Sequence, residues 1–225
     1  MAVGISVVCG ASGGLGPAVL DAMAALGDPV VGIASPRSEP AKLAALRPEV
    51  QWLRADLSDP EAVEALWRIV DGLGEVRRLV NVTGGFAGGT VIETSPRVVR
   101  EMFEVNLATA WWASREAARR MTARGAGMIV NVASASGVEL RGGAAAYAVS
   151  KAALVALTRV LSDELRSTGV GVNAVAPGTI DTPANRAWMS AGDLARAVAP
   201  ERVAAAIASF FDPAHFVTGQ VVAVA

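Results

Sequence analysis

The sequence predicts an α/β fold, a single domain built on a doubly wound parallel sheet of about seven strands. Three observations predict it. Short apolar runs alternate with amphipathic stretches along the whole chain. The runs are rich in Val and Ile and lack the polar residue at every second place, which is the pattern of strands covered on both faces. A glycine-rich turn joins the first run to the first amphipathic stretch, and sheets of this kind bind ligands there, outside the carboxyl ends of the strands.

In chain order the strands are expected at 5–9, 29–33, 50–53, 78–82, 128–132, 170–175 and 220–224. Helices are expected at 15–26, 40–46, 60–70, 96–120, 146–166 and 200–211. Several of these helices open on Pro preceded by Ser or Asp, an ordinary start signal. The length, 225 residues, suits one compact domain, and no repeat, low-complexity block or linker marks a second one.

Composition narrows the function classes. With 20 basic and 21 acidic residues the formal charge is −1, so there is no basic footprint for nucleic acid and no polybasic membrane patch. The start of the chain, Met1-Ala2-Val3-Gly4-Ile5, lacks the charged segment of a secretory signal, and every apolar run is broken by Gly, Pro or charge. The single cysteine, Cys9, excludes an internal disulfide framework, and no metal-ligand pattern is present. A soluble cytoplasmic protein acting on a small molecule is the expectation.

The turn after the first strand reads Gly10-Ala11-Ser12-Gly13-Gly14-Leu15-Gly16. Missing side chains let the backbone turn tightly and approach a pyrophosphate, whose charge the following helix N-terminus favours. The same residues spell Gly10-x-Ser12-x-Gly14, a nucleophile-elbow pattern, and the sole histidine, His215, follows in suitable chain order. That fold needs earlier strands to build its oxyanion hole, and only nine residues precede the turn. His215, in Asp212-Pro213-Ala214-His215, reads as a solvated loop residue.

Dinucleotide choice is read where the second strand ends. NAD sites place an acid there for the ribose hydroxyls. This chain has Ala34-Ser35-Pro36-Arg37-Ser38, so Arg37 with Ser35 would meet a 2′-phosphate by charge-assisted hydrogen bonds. NADP(H) is therefore expected over NAD(H). Asp56, followed by Leu57 after the third strand, is expected at the adenine edge, or as a helix N-cap.

Tyr147 and Lys151 stand four apart at the start of a long Ala- and Leu-rich helix, which places phenol and ammonium on one face. A free tyrosine titrates near ~10, and a neighbouring cation favours phenolate. Ser134, after the fifth strand, should lie at the carboxyl edge of the sheet. Asn106 interrupts the apolar segment Met102-Phe103-Glu104-Val105-Asn106-Leu107, where a locally unfavourable residue suggests a hydrogen-bonding task.

Over essentially its whole length the chain resembles the short-chain dehydrogenase/reductase family, whose fold is of the Rossmann type. The resemblance is carried by Gly10–16, Asn81-Val82-Thr83-Gly84, Asn106, Ser134, Tyr147-x-x-x-Lys151 and Pro177-Gly178, in that order and spacing. It implies that Tyr147 exchanges a proton with a carbonyl or alcohol oxygen, that Ser134 orients that oxygen, and that Lys151 binds the nicotinamide ribose and lowers the Tyr147 pKa. It implies that Asn106 holds a water in the proton relay. It places Gly10, Ser12, Gly13, Gly14, Leu15, Gly16, Asn81, Thr83 and Gly84 on the cofactor, with Pro177, Gly178, Ile180 and Thr182 at its nicotinamide end. The helices carrying Asn106 and Tyr147 would form a homodimer or homotetramer interface.

Departures from the family pattern are visible as well. Cys9 stands where Thr is frequent, Val82-Thr83 replace Asn-Ala, and an Asp-Gly-Gly tail is missing after Val221-Val222-Ala223-Val224-Ala225. Two loops, at 84–89 and 181–186, resemble those of dihydropteridine reductase and its bacterial relatives, yet Ser134 and the second strand depart from that subgroup. The substrate is expected between the Phe86 loop, the 136–143 stretch and a lid at 183–199, against an apolar wall of Phe86, Leu140, Trp188 and Met189. Arg141 and Arg186 read as solvated, and Trp111-Trp112 as one core and one interface residue. The resulting reading is an NADP(H)-dependent ketoreductase or alcohol dehydrogenase. The alternatives are a reductase of a C=N bond in a pterin-like substrate and a non-catalytic NADP(H)-sensing protein.

Overall fold

The computed structural model describes residues 3–187, 189–212 and 214–225. Seven strands, β1 (Gly4–Cys9), β2 (Val30–Ala34), β3 (Gln51–Arg54), β4 (Glu75–Asn81), β5 (Gly127–Val132), β6 (Val170–Pro177) and β7 (Val221–Val224), form one sheet in the order β3-β2-β1-β4-β5-β6-β7. Every pairing is parallel. The order reverses at β1, which lies between β2 and β4, and this switch point opens a crevice at the carboxyl ends of the strands.

Helices cover both faces because successive strand residues point to opposite sides. Val8, Val80, Val130 and Val175 pack against α1 (Gly16–Ala24) and α10 (Pro200–Ser209), through Val19, Leu20, Met23, Val203 and Ile207. Val7, Ile33, Leu79, Ile129 and Val172 face α3 (Pro60–Asp71) and α5 (Thr109–Arg124), through Leu66, Trp67, Ala113, Ala117 and Met121. The expectation of strands buried on both faces holds for β1, β2 and β6. It fails at the edges, where β3 and β7 are largely exposed because nothing pairs beyond them.

The helix expected at 96–120 is broken in three. α4 (Pro96–Phe103) passes into a π-helical turn, Glu104–Ala108, before α5 begins. Such a widened turn frequently marks a functional position, and Asn106 sits in it, fully buried. α2 (Pro40–Leu46) lies where expected. Three short helices were not legible from periodicity: α6 (Ala135–Glu139), α8 (Pro183–Arg186) and α9 (Ala191–Leu194). The long α7 (Ala145–Glu164) is apolar enough to cross a membrane by length and composition alone. Here it packs on the sheet, with Val155 against Ala133 and Ala174.

A buried polar ladder runs through the middle of this core. Asn81 Nδ2 donates to Ser114 Oγ at 2.9 Å and to Asn131 Oδ1 at 2.8 Å, and Asn131 Nδ2 donates to Thr158 Oγ1 at 2.9 Å. It ties α5, β4, β5 and α7 into one register just below the crevice.

Candidate active site

Gly10 ends β1 in the left-handed region, φ +82°, and a Cβ there would lie 2.6 Å from Thr83 N. A Cβ on Gly14 would lie 2.8 Å from Thr182 Cβ. Both positions therefore require glycine, and the turn passes tightly between the strand ends. Leu15 precedes α1 without a side-chain cap, so the amides of the first turn face the crevice free of one. Thr83 Oγ1 is buried with no hydrogen-bond partner among the described residues. A glycine cradle, an uncapped helix start and an orphaned hydroxyl fit a dinucleotide pyrophosphate.

Gly10, Gly14 and Leu15 line a cleft of about 660 Å³ that runs from Ser12, Gly13 and Ser35 to Tyr147, Lys151 and Thr182, with Thr83 buried behind it. At its outer end the Ser35–Ser38 loop is preorganised: Ser35 Oγ accepts from Arg37 N at 3.3 Å, and Arg54 Nη1 donates to Ser38 O at 3.2 Å. Arg37 is exposed. Asp56 accepts from the Ser58 hydroxyl at 2.6 Å and the Ser58 amide at 2.9 Å. Those hydrogen bonds, with Arg37 nearby, hold its carboxyl below the usual range. The N-cap role weighed for Asp56 belongs to Asp59, whose side chain accepts from Glu61 N. Leu57 is buried in the core beneath. The Asn81 side chain likewise belongs to the buried ladder and not to the cleft wall.

At the inner end, Tyr147 lies in the first turn of α7 and Lys151 one turn later. Ser134 caps α6 and hydrogen-bonds the Tyr147 phenol. Lys151 Nζ donates to Val132 O at 2.8 Å. Asn106 Oδ1 accepts from Gly85 N at 3.0 Å, and its Nδ2 donates to Gly85 O at 3.1 Å and Ser150 Oγ at 3.0 Å. Both Asn106 amide hydrogens are thus spent within the protein. The side chain works as a clamp between the loop after β4 and α7. Gly84 threads between, where a Cβ would lie 2.9 Å from Asn106 Oδ1 and 3.1 Å from Lys151 Nζ.

Beyond β6, Pro177 ends the strand and Gly178 N donates to Val224 O at 3.0 Å. Ile180 bridges to Val198, and Thr182 caps α8. Arg186 is held by Asp181, bidentate at 2.5 and 2.8 Å.

A second recess of about 320 Å³ opens beside Ser134 and shares Phe86, Tyr147 and Asn185 with the cleft. The Phe86 ring meets Tyr147 edge to face, centroids 5.1 Å apart. The apolar wall expected here is not what the structure builds. Leu140 turns outward, 63% exposed, and its neighbours Glu139 and Arg141 line the recess instead. Trp188 lies outside the described residues. Ser136 and Glu139 lie in the 136–143 stretch and Asn185 in the lid segment expected around the substrate, whereas Thr179 carried no signal. His215 pairs with Asp212 at 3.1 Å in an exposed loop. A separate hollow of about 480 Å³ at the amino ends of β4 and β5 contains none of the sequence-predicted site residues. Among the described residues no three His, Cys, Asp or Glu side chains gather to hold a metal.

The electrostatics correct a further expectation. Burial pushes the Tyr147 phenol above its ordinary value, while the Ser134 hydrogen bond pulls it down. Lys151 is not among the causes. Burial pulls Lys151 itself down to about 8, so its cation is strained before it stabilises any neighbour.

The family model described as short chain dehydrogenase matches residues 5–192. Galactitol 2-dehydrogenase (L-tagatose-forming) of Cereibacter sphaeroides is 36% identical over 183 residues, 76% of this chain and 72% of that protein. The 3-oxoacyl-[acyl-carrier-protein] reductase of Escherichia coli is 32% identical over 227 residues, covering 96% and 93%. Among solved structures, ElxO with NADP bound superposes with a TM-score of 0.90 at 23% identity, covering 100% of this chain and 97% of that one.

The Lys151 shift has a measurable consequence for stability. Folded, the ammonium titrates at about 8, against an ordinary value of 10.5. Below pH 8 both states hold the proton and the burial penalty is fully present. Between 8 and 10.5 the unfolded state holds more protons, so the unfolding free energy rises with pH, by on the order of 3 kcal/mol in all. Lys151→Met should therefore stabilise the fold at pH 7 by about 1–2 kcal/mol, after losing the bond to Val132 O. Urea unfolding at several pH values checks this, and a gain that grows from pH 8 to 10 would contradict it.

Proposed function

The chain belongs to the short-chain dehydrogenase family, oxidoreductases that interconvert CH–OH and C=O on small molecules with a nicotinamide cofactor, and we propose that it is an NADP(H)-dependent ketoreductase. The observation that carries this reading is the Tyr147 phenol beside Ser134 where the cleft meets the recess, with Lys151 one turn away.

When bound, the cofactor supplies or accepts the hydride. The amides at Gly14 and Leu15 would hold its pyrophosphate, since the Gly13 amide is already spent on Gly10 O at 3.0 Å, with Lys151 at its nicotinamide ribose, and Ile180 and Thr182 at its carboxamide end. Ser35 and Arg37 would take a 2′-phosphate, since the second strand ends without an acid and its loop is fixed by Arg54. Ser134 orients the substrate oxygen. Tyr147 then transfers its proton to that oxygen as charge develops there. Burial keeps the phenol protonated at neutral pH, the state an acid in the reductive direction requires.

We also place a homo-oligomer interface on α5 and α7. Trp111 is 47% exposed over a small apolar hollow with Phe103 and Leu107, and Val149 and Val160 are exposed on α7. A lone monomer rarely presents such side chains together.

Three outcomes test these readings. Tyr147→Phe should lower the rate of ketone-dependent NADPH oxidation by about 10²–10⁴-fold while leaving the circular dichroism spectrum intact; unchanged turnover would remove the mechanism. Arg37→Ala should raise the NADPH dissociation constant by about 10–100-fold and spare NADH, measured by nucleotide fluorescence; equal losses would defeat the phosphate role. Light scattering should find a dimer or larger assembly that Trp111→Arg dissociates, and a micromolar monomer in the unsubstituted protein would refute the interface.

A further inference from the structure

Leu140 is the one non-glycine residue among the described residues with a positive φ, +55°. A branched aliphatic side chain in the left-handed region is strained by roughly 1–2 kcal/mol, and strain of this kind gathers at sites where geometry matters more than stability. Its effect is local and specific. It ends α6 abruptly, turns the Leu140 side chain to solvent, and leaves the residues on either side, Glu139 and Arg141, lining the recess beside Tyr147.

The two make an ion pair, Arg141 Nε to Glu139 Oε2 at 2.9 Å. The pair is electrically neutral and open to solvent, Arg141 more than Glu139, so its second carboxylate oxygen and remaining guanidinium hydrogens are accessible at the rim of the recess. Around it stand the Ser136 and Thr179 hydroxyls and the Asn185 amide, whose Nδ2 already donates to Ile180 O at 2.8 Å. The wall therefore offers both acceptors and donors, with no net charge.

Each substrate class would meet this wall differently. An alkyl ketone would strip water from the polar groups and return nothing. A keto acid would gain Arg141 but press its carboxylate against Glu139. A hydroxyl group both donates and accepts at one small atom, and so satisfies both kinds of partner without adding charge. We propose that the Leu140 kink displays the Glu139–Arg141 pair as a reader of substrate hydroxyls, so that the enzyme acts on neutral polyhydroxylated ketones and their polyols. This rests on the ketoreductase reading above and adds the substrate class. The balanced reaction is hydride from NADPH to the carbonyl carbon and a proton from Tyr147 to the oxygen, giving the secondary alcohol and NADP⁺, with the Tyr147 proton restored from solvent.

Three four-carbon ketones separate the classes at constant size: erythrulose, 2-butanone and acetoacetate, each assayed with NADPH on the intact protein. The expected result is a kcat/KM for erythrulose about 10–100-fold above the other two, the range that hydrogen-bonded hydroxyls give. Arg141→Ala and Glu139→Ala should each narrow the erythrulose to 2-butanone ratio by about tenfold, mainly through KM. Equal or better use of 2-butanone or acetoacetate overturns the substrate class while leaving the ketoreductase intact. A ratio unmoved by both substitutions overturns the reader. If none of the three is turned over by protein that binds NADPH, both readings fall.

Discussion

The arrangement around Tyr147 depends on one buried side chain, Asn106. Three hydrogen bonds from its amide join the main chain after β4 to the hydroxyl of Ser150 on α7. Ser150 in turn donates to Tyr147 O at 2.8 Å, so the clamp reaches the backbone of the phenol itself. A regular α-helix from Pro96 onward would carry Asn106 at a different angle. The π turn widens the helix where this amide must turn inward. Gly84 then completes the fit, since any side chain there would press on both Asn106 and Lys151. Removing one partner from such a dry network leaves the others unsatisfied, at about 1–3 kcal/mol each, which makes the clamp cooperative rather than optional.

Below the clamp, the Ser114–Asn81–Asn131–Thr158 ladder performs the same task for the sheet. Apolar strands alone would pack in several lateral registers, because Val against Val discriminates little. Four polar groups that must meet in a dry interior do discriminate. The strand ends are thereby fixed relative to α7, and the strand ends carry Ser134 and the carbonyl of Val132. That carbonyl holds Lys151. Holding an ammonium out of water opposes folding, and the large apolar core on both faces of the sheet offsets it. Stability and site chemistry are here opposed within one residue.

Much of this was legible in the sequence because periodicity and spacing encode it. Val- and Ile-rich runs gave the seven strands to within a few residues, and the Gly10–16 turn gave the phosphate end of the cleft. Tyr147, Lys151 and Ser134 were legible because four-residue spacing and strand ends place them together. The failures have physical causes. The π turn was hidden because its residues look like ordinary helix. The clamp made by Asn106 was hidden because its partners, the Gly85 main chain and the Ser150 hydroxyl, are displayed by no motif. Asp56 and Asp59 both suit an N-cap, and only the coordinates choose between them. The direction of the Tyr147 shift was misread because spacing reveals the nearby cation but not the burial of both groups, and burial dominates.

The recess shows why fold and chemistry are easier to read than substrate. The proton and hydride machinery sits on strand ends and long helices, whose patterns are global. The recess is built by the short segments after β5 and β6, where one residue forced into an unfavourable conformation decides which side chains face inward. Leu140 offered no signal, because left-handed positions are recognised in sequence by Gly or Asn and this one carries neither. Relatives of this chain are as different in name as a galactitol dehydrogenase and an acyl-carrier-protein reductase. In this chain the wall of the recess is a handful of loop dipoles. Those dipoles include both donors and acceptors, and a neutral wall of that kind selects by hydrogen-bond pattern where a charged wall would select by sign.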